Sequence, residues 1–157
     1  MPECLAWCHK SGVGIRRTKH AVYELKYHLV WVPKYRAHVL DNEVAQYVKE
    51  VFEQIAEEYE FQIDTMEVMA YHVHVFIEAA PSHAPADVVQ ILKSISAREV
   101  FRKFPKMRTA MWSGMIWGDG YFVRSVGDKV TADVIRKYIQ YQKHEDTPSQ
   151  LAMFEKT

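Results

Sequence analysis

The sequence predicts an α+β fold of the ferredoxin-like type, which is an antiparallel βαββαβ sheet with two helices on one face. The apolar periodicity changes along the chain in the order strand, helix, strand, strand, helix and strand, and an extra C-terminal helix follows. The chain has 157 residues, of which 48% are hydrophobic and 25% are charged. These values are typical of one globular domain that can bury a core without disulfides, and they exclude a disordered or disulfide-stapled chain.

The first strand and the first helix have the clearest patterns. A strand is predicted over residues 22–32, where His28 falls on one face and Leu29 and Trp31 on the other. Asp41 then suits the N-cap of a helix. The apolar residues of this helix recur at i, i+3, i+4 and i+7. They are Val44, Tyr47, Val48, Val51, Phe52, Ile55, Ala56 and Tyr59.

Two further strands are predicted over residues 61–69 and 71–79 as a tight antiparallel pair, because only Ala70 separates them. In the second of these strands, Val73 and Val75 face one way, whereas His72 and His74 face the other. The two valines should anchor the strand in the core and hold the histidine face rigidly.

The last elements are a second helix, a short strand and the extra helix. Pro85 suits the first turn of the second helix, which should end near Phe104. A Gly- and Trp-rich loop leads to a strand over residues 121–126, and Thr131 can cap a helix that runs to about Lys143. We expect this extra helix on the sheet face that carries His72 and His74.

The chain divides into an N-terminal extension (1–20), a folded domain (21–145) and a C-terminal tail (146–157). Cys4 and Cys8 lie in the extension, and their spacing is not typical of a zinc site, so free thiols are expected. No signal peptide pattern or membrane-spanning apolar run is visible, so we expect a cytoplasmic protein.

The candidate chemistry centres on His72-Val73-His74. Side chains two apart on a strand lie on one face, with Cα atoms about 6–7 Å apart, so both imidazoles can bind one metal ion. A structural pair of histidines is the alternative. Tyr138 and Gln142 lie four apart on the last helix and share a face. A divalent ion could polarise a phosphate for attack by a tyrosine oxygen, and the Gln142 amide could complete the metal site.

Tyr138 could instead be a tyrosine that packs the helix on the sheet, and Tyr141 is a rival candidate for the nucleophile. The residues alone leave these alternatives open.

Together, several motifs resemble the single-tyrosine HUH transposases of small bacterial insertion sequences, the TnpA-type, IS200-like family. The resemblance covers residues from about 20 to 145. The motifs are residues 27–31 (YHLVW), 34–36 (KYR), 72–74 (HVH), 120–127 (GYFVRSVG) and 138–142 (YIQYQ).

The resemblance implies that His72 and His74 bind Mg²⁺ or Mn²⁺, with Gln142 as the third ligand and Tyr138 as the nucleophile. It also implies cutting of single-stranded DNA through a 5′-phosphotyrosine intermediate with a free 3′-OH, recognition of DNA hairpins at the element ends, and a homodimer. The Cys-containing extension and the elaborated loop over residues 109–119 depart from the family core.

Charge is segregated along the chain, although 20 Lys and Arg balance 20 Asp and Glu. The first helix is acidic, whereas the second helix and its exit are basic, which favours a local DNA-contact surface. The candidate DNA contacts are Arg16, Arg17, Lys34, Arg36, Lys93, Arg98, Arg102 and Lys103. Trp112 and Trp117 could stack on bases, but a role at the edge of the core or in a dimer contact is favoured.

Three alternatives to a mobile-element transposase remain. The first is a domesticated HUH nickase that acts on repeated palindromes, and the second is a non-catalytic single-stranded nucleic-acid-binding module. The third is a histidine-dependent phosphohydrolase. Phe76 stands where a third histidine of an H-x-H-x-H site would lie, which argues against this last alternative.

Overall fold

The structure is a computed structural model that describes residues 15–111, 113–127 and 132–141. Within these residues the chain forms six strands and four α-helices. They are β1 (Arg16–Arg17), β2 (Val22–Tyr23), β3 (Lys26–Trp31), α1 (Asn42–Glu58), β4 (Gln62–Met69), β5 (His72–Glu78), α2 (Pro85–Lys103), α3 (Pro105–Ala110), β6 (Phe122–Val126) and α4 (Ala132–Tyr141).

The main sheet has four antiparallel strands in the order β4-β5-β3-β6. With α1 after β3 and α2 after β5, the chain order is βαββαβ followed by α4. The predicted ferredoxin-like fold is therefore confirmed.

The register of the two central strands fixes where the histidines lie. Val30 is opposite His74 and Trp31 is opposite Val73, so β3 ends where β5 begins. We call this end of the sheet, marked by Trp31 and His72, the histidine end. Because the sheet is antiparallel, β6 also begins there, with Phe122 opposite Val30.

One face of the sheet forms the main core with α1 and α2. Leu29, Trp31, Val73, Val75 and Ile77 point into it from the two central strands. The helix starts are capped as expected, since the Asp41 carboxylate accepts a hydrogen bond from the Val44 amide at 2.9 Å. Pro85 opens α2, where the Asp87 carboxylate accepts from the Ala84 amide at 3.1 Å.

The opposite face of the sheet is covered by α4. Ile135 and Ile139 contact Phe76 in a second apolar cluster, joined at its edge by Val126. The expected position of the extra helix on the histidine face is thus confirmed. Thr131 and Lys143, the expected limits of this helix, lie outside the described residues.

Two local predictions were wrong. The strand expected over residues 22–32 is interrupted, because Val22–Tyr23 pair with Arg16–Arg17 in a small hairpin and β3 begins only at Lys26. The hairpin turn is closed by the amide of Ala21, which donates to Thr18 Oγ1 at 3.1 Å. The end of the expected N-terminal extension therefore forms one strand of a hairpin. Alternation of polar and apolar residues continues through Tyr23 into β3, so the sequence pattern alone does not show where the hairpin ends and β3 begins.

The segment after α2 was expected to be a loop, but it begins with the short helix α3. Trp117, further along, is buried, and its indole Nε1 donates to Ser96 Oγ at 2.9 Å. Its ring lies edge-on to Trp31, with centroids 6.0 Å apart. Trp117 therefore covers the edge of the core, as favoured, whereas Trp112 lies outside the described residues.

None of the helices within the described ranges is long and apolar enough to cross a membrane.

Candidate active site

His72 and His74 lie side by side on the α4 face of the sheet. Their ring centroids are 4.9 Å apart, and both side chains are buried. β5 is flanked by β4 and β3, and Val73 and Val75 are fully buried in the main core. The neighbouring strands thus hold β5 from both edges, and Val73 and Val75 anchor its other face in the core, as the sequence predicted.

His28 on β3 adds a third imidazole to this cluster. Its Nε2 lies 3.1 Å from His74 Nδ1, and the two rings stack with centroids 5.4 Å apart. One proton must lie between these two nitrogens, so the hydrogen bond links the tautomers of both rings. The sequence placed His28 on this face by alternation but gave it no role.

Burial keeps these imidazoles uncharged. It lowers the pKa of His28 to about 4, with a smaller contribution from the positive charge of Arg124. Burial also lowers the pKa of His74 to about 3, reinforced by His72 and His28, and it lowers the pKa of His72. At neutral pH each ring is therefore neutral and has one N–H and one nitrogen lone pair. The lone pair of either His28 or His74 accepts the hydrogen bond between these two rings.

The chemistry of this cluster fits a divalent metal. Both ring nitrogens of His72 are buried and find no hydrogen-bond partner among the described residues. A buried polar atom without a partner is costly, and a bound cation would satisfy it. Within the described ranges, no group of three or more His, Cys, Asp or Glu side chains could hold a metal ion. Gln142, the predicted third ligand, lies outside the described residues.

Tyr138 lies on α4, which the structure describes by its backbone at this position. Ile135 and Ile139 bracket it in sequence and pack on Phe76, which is two residues from His74 on the same face of β5. The fold thus brings the helix of the predicted nucleophile to the sheet face of the predicted metal ligands.

An ion pair that sequence reasoning missed also fastens α4 to the sheet. The Arg136 guanidinium donates two hydrogen bonds of 2.6 Å to the Asp64 carboxylate, from Nε to Oδ1 and from Nη2 to Oδ2. Asp64 lies where the β4–β5 register shifts between Ile63 and Thr65. Although burial raises the pKa of Asp64, the hydrogen bonds from Arg136 and Thr65 and the positive charges of Arg136 and Lys26 together outweigh this effect and hold that pKa below its usual value.

The predicted DNA contacts fall into two groups. Arg98 and Arg102 are exposed on α2, where both pair with Glu99, and Arg17 is exposed on β1. These guanidinium groups are accessible to phosphate.

The remaining cations have intramolecular contacts. Lys93 Nζ donates to the carbonyls of Gly118 and Gly120 at 2.8 and 2.9 Å, and its pKa is lowered to about 8 by burial. It fastens the loop before β6, so it is poorly placed to bind DNA. The other contacts are Arg16 with the Glu60 carbonyl and the Tyr23 ring, Lys34 with Asp119, and Lys103 with the Tyr47 ring. Arg36 is half-buried in the turn after β3.

Comparison with known proteins agrees with this arrangement. The family described as "Transposase IS200 like" matches residues 21–142. The ISDra2 transposase TnpA of Deinococcus radiodurans is 38% identical over 128 residues, which cover 82% of this chain and 91% of that protein. The transposase for insertion sequence element IS200 of Salmonella typhimurium is 30% identical, with 81% and 82% covered.

Two solved structures share the fold. A Deinococcus radiodurans R1 protein assigned as a transposase is 37% identical, with a TM-score of 0.66, and the match covers 81% of this chain and 97% of that one. A REP-associated tyrosine transposase bound to a REP hairpin matches with a TM-score of 0.53 at 13% identity, over 82% and 73% of the two chains. The chain therefore belongs to the IS200-like transposase family and is an enzyme of the DNA transposase class.

Proposed function

We propose that this enzyme cuts and rejoins single-stranded DNA in a metal-dependent reaction, with Tyr138 as the nucleophile and a 5′-phosphotyrosine intermediate. The observation that carries the proposal is the placement of α4, the helix of Tyr138, over the sheet face on which His72 and His74 lie. Two buried neutral imidazoles next to a tyrosine-bearing helix suit metal-assisted phosphoryl transfer better than plain DNA binding.

His72 and His74 would hold Mg²⁺ or Mn²⁺, with the amide oxygen of Gln142 as the third protein ligand. When bound, the cation acts as a Lewis acid that stabilises the charge developing on the phosphate. Because all three ligands are neutral, they would leave its double charge intact. His28 would accept a hydrogen bond from Nδ1–H of His74, which fixes the tautomer whose Nε2 lone pair is available as a ligand.

The Tyr138 oxygen gives up its proton and attacks the phosphorus of a phosphodiester. The bond from phosphorus to the 3′ oxygen breaks, and that oxygen leaves as a 3′-OH after taking up a proton. The 5′ side of the strand stays bonded to the tyrosine. A second 3′-OH then attacks the same phosphorus and releases Tyr138, so the strands rejoin without a nucleotide cofactor.

The proposed partners are single strands that carry hairpins at the ends of the element, and a second copy of the chain. The solved relative bound to a REP hairpin shares this fold, which supports a hairpin substrate. The exposed guanidinium groups of Arg17, Arg98 and Arg102 offer sites for its phosphates.

Covalent capture tests the proposal. The wild type and the Tyr138→Phe variant are incubated with labelled single strands from both flanks of the gene, with Mn²⁺ or with EDTA. We expect a labelled protein band that survives denaturation when the wild type is incubated with Mn²⁺. The wild type in EDTA and the Tyr138→Phe variant should give no such band. A band from Tyr138→Phe would show that another residue is the nucleophile, and Tyr141 would be the first candidate. Hairpin binding without an adduct on any strand would favour a non-catalytic binding module.

A further inference from the structure

The turn that follows β3 contains two consecutive residues in a backbone conformation that favours glycine. Tyr35 has φ +58° and Arg36 has φ +49°. An aromatic residue is strained in this region, and such strain persists only where the surroundings impose it. The same tyrosine is 69% exposed, so burial of its ring cannot explain why the turn carries it.

The surroundings do fix the turn firmly. The amide of Lys34 donates to the carbonyl of Ile116 at 2.6 Å, and the amide of Gly118 donates to the carbonyl of Val32 at 2.9 Å. A Cβ on Gly118 would lie 3.3 Å from that carbonyl oxygen, so the two segments approach closely. The exposed ring of Tyr35 is therefore presented by a rigid backbone.

The position of the turn relates it to the candidate active site. The turn, Lys34–Arg36, begins three residues after Trp31, the last residue of β3, at the histidine end of the sheet. Lys34 and Arg36 are its neighbours in sequence, and Lys34 Nζ lies 5.6 Å from the ring centroid. An exposed aromatic ring on a fixed backbone, with a cation beside it, has the properties of a stacking site for an unpaired base and its phosphate.

We propose that Tyr35 is a stacking platform for a base of the single-stranded DNA that approaches the histidine end, with Lys34 and Arg36 next to its phosphates. The inference rests on the proposed function, and it names a substrate-binding residue that the catalytic reaction does not require. The strain at residue 35 is then the cost of directing a ring toward solvent and substrate.

The test measures binding without catalysis. A single strand carrying 2-aminopurine at successive positions is titrated with the protein in EDTA at low salt, for the wild type, Tyr35→Phe, Tyr35→Leu and Tyr35→Asn. Phe keeps the π-face, Leu keeps the apolar bulk without it, and Asn tolerates the positive φ without a ring.

We expect Tyr35→Leu and Tyr35→Asn to weaken binding about 5- to 150-fold and to lose the fluorescence quenching at one position of the strand. Tyr35→Phe should stay within about 2-fold of the wild type, by the same stacking argument. The Tm of Tyr35→Asn should not fall, because its backbone strain is lower.

Equal affinity of all four proteins would overturn the inference, as would a loss of affinity in proportion to a loss of Tm. An altered oligomeric state with unchanged DNA affinity would place the ring in a subunit contact and would overturn it too. A wild type that binds no single strand would count against the proposed function itself. A failed covalent capture alone would leave this binding test unaffected.

Discussion

His28 is the single residue whose contribution to the candidate metal site can be isolated most directly. Replacing it with Leu removes the hydrogen-bond partner of His74 Nδ1, whereas Gln offers an amide oxygen that can accept from the proposed Nδ1–H. Loss of such a supporting hydrogen bond usually weakens metal binding about 10- to 100-fold. We expect this loss for His28→Leu and a smaller one for His28→Gln, measured as the Kd for Mn²⁺ by electron paramagnetic resonance.

An unchanged Kd for Mn²⁺ in His28→Leu would show that His28 does not contribute to metal binding. The His72→Ala variant, which lacks a proposed ligand, sets the scale for complete loss of the site.

The buried histidines also predict how stability depends on pH in the metal-free protein. Unfolded His28 and His74 bind protons with a pKa near 6.5, whereas the folded values are about 4 and about 3. Between these limits the unfolded state holds more protons, so the free energy of unfolding decreases as the pH falls below about 6.5. The slope reaches at most about 1.4 kcal/mol per pH unit for each histidine.

Urea denaturation in EDTA at pH 5, 6, 7 and 8 measures this slope. His28→Gln should reduce it, because one of the buried titrating groups is gone. Equal stability at pH 5 and pH 7 would show that the rings protonate without cost in the folded state.

Among the secondary-structure elements, α4 is attached to the sheet by few described apolar contacts, which are those of Ile135 and Ile139 with Phe76. The two hydrogen bonds between Arg136 and Asp64 supplement them. We expect Asp64→Asn to destabilise the docked helix by about 1–3 kcal/mol, which is typical for hydrogen bonds of charged groups. Hydrogen exchange of the α4 amides should accelerate while that of β5 stays slow.

The exchanged pair, Asp64→Arg with Arg136→Asp, is the matched control and should recover part of the protection. Uniform acceleration throughout the sheet would contradict a local role for this ion pair.

The fold was largely predictable because α1 and β5 have clear periodic patterns of apolar residues, and because Asp41 and Pro85 mark the starts of α1 and α2. Other features depend on pairing between distant segments, which a local pattern does not encode. The contact of Asp64 with Arg136 joins residues 72 apart and depends on an irregular register in β4. Likewise, the sequence does not show that Lys93 is held by carbonyl groups, because its partners Gly118 and Gly120 lie far along the chain in the loop before β6. Within the candidate site, the alternation of side chains along β5 predicted that His72 and His74 share a face.

For the whole molecule, α4 packs on the histidine face of its own chain. We therefore expect Tyr138 of each chain to act with the histidine pair of the same chain. A mixture of the His72→Ala and Tyr138→Phe variants should then form no DNA adduct above the sum of the separate proteins. Recovery of adduct after mixing, measured by the same covalent capture, would show that the tyrosine works in the partner's site.

The pairing of β3 has a consequence for how the chain is synthesised. One edge of β3 pairs with β5, which begins at His72. The other edge pairs with β6, which is synthesised only from Phe122 onward. A nascent chain can therefore complete three strands and both covering helices while one edge of β3 still has exposed backbone groups. Unpaired strand edges of this kind promote aggregation between chains, so slow translation before residue 122 should lower the yield of folded enzyme.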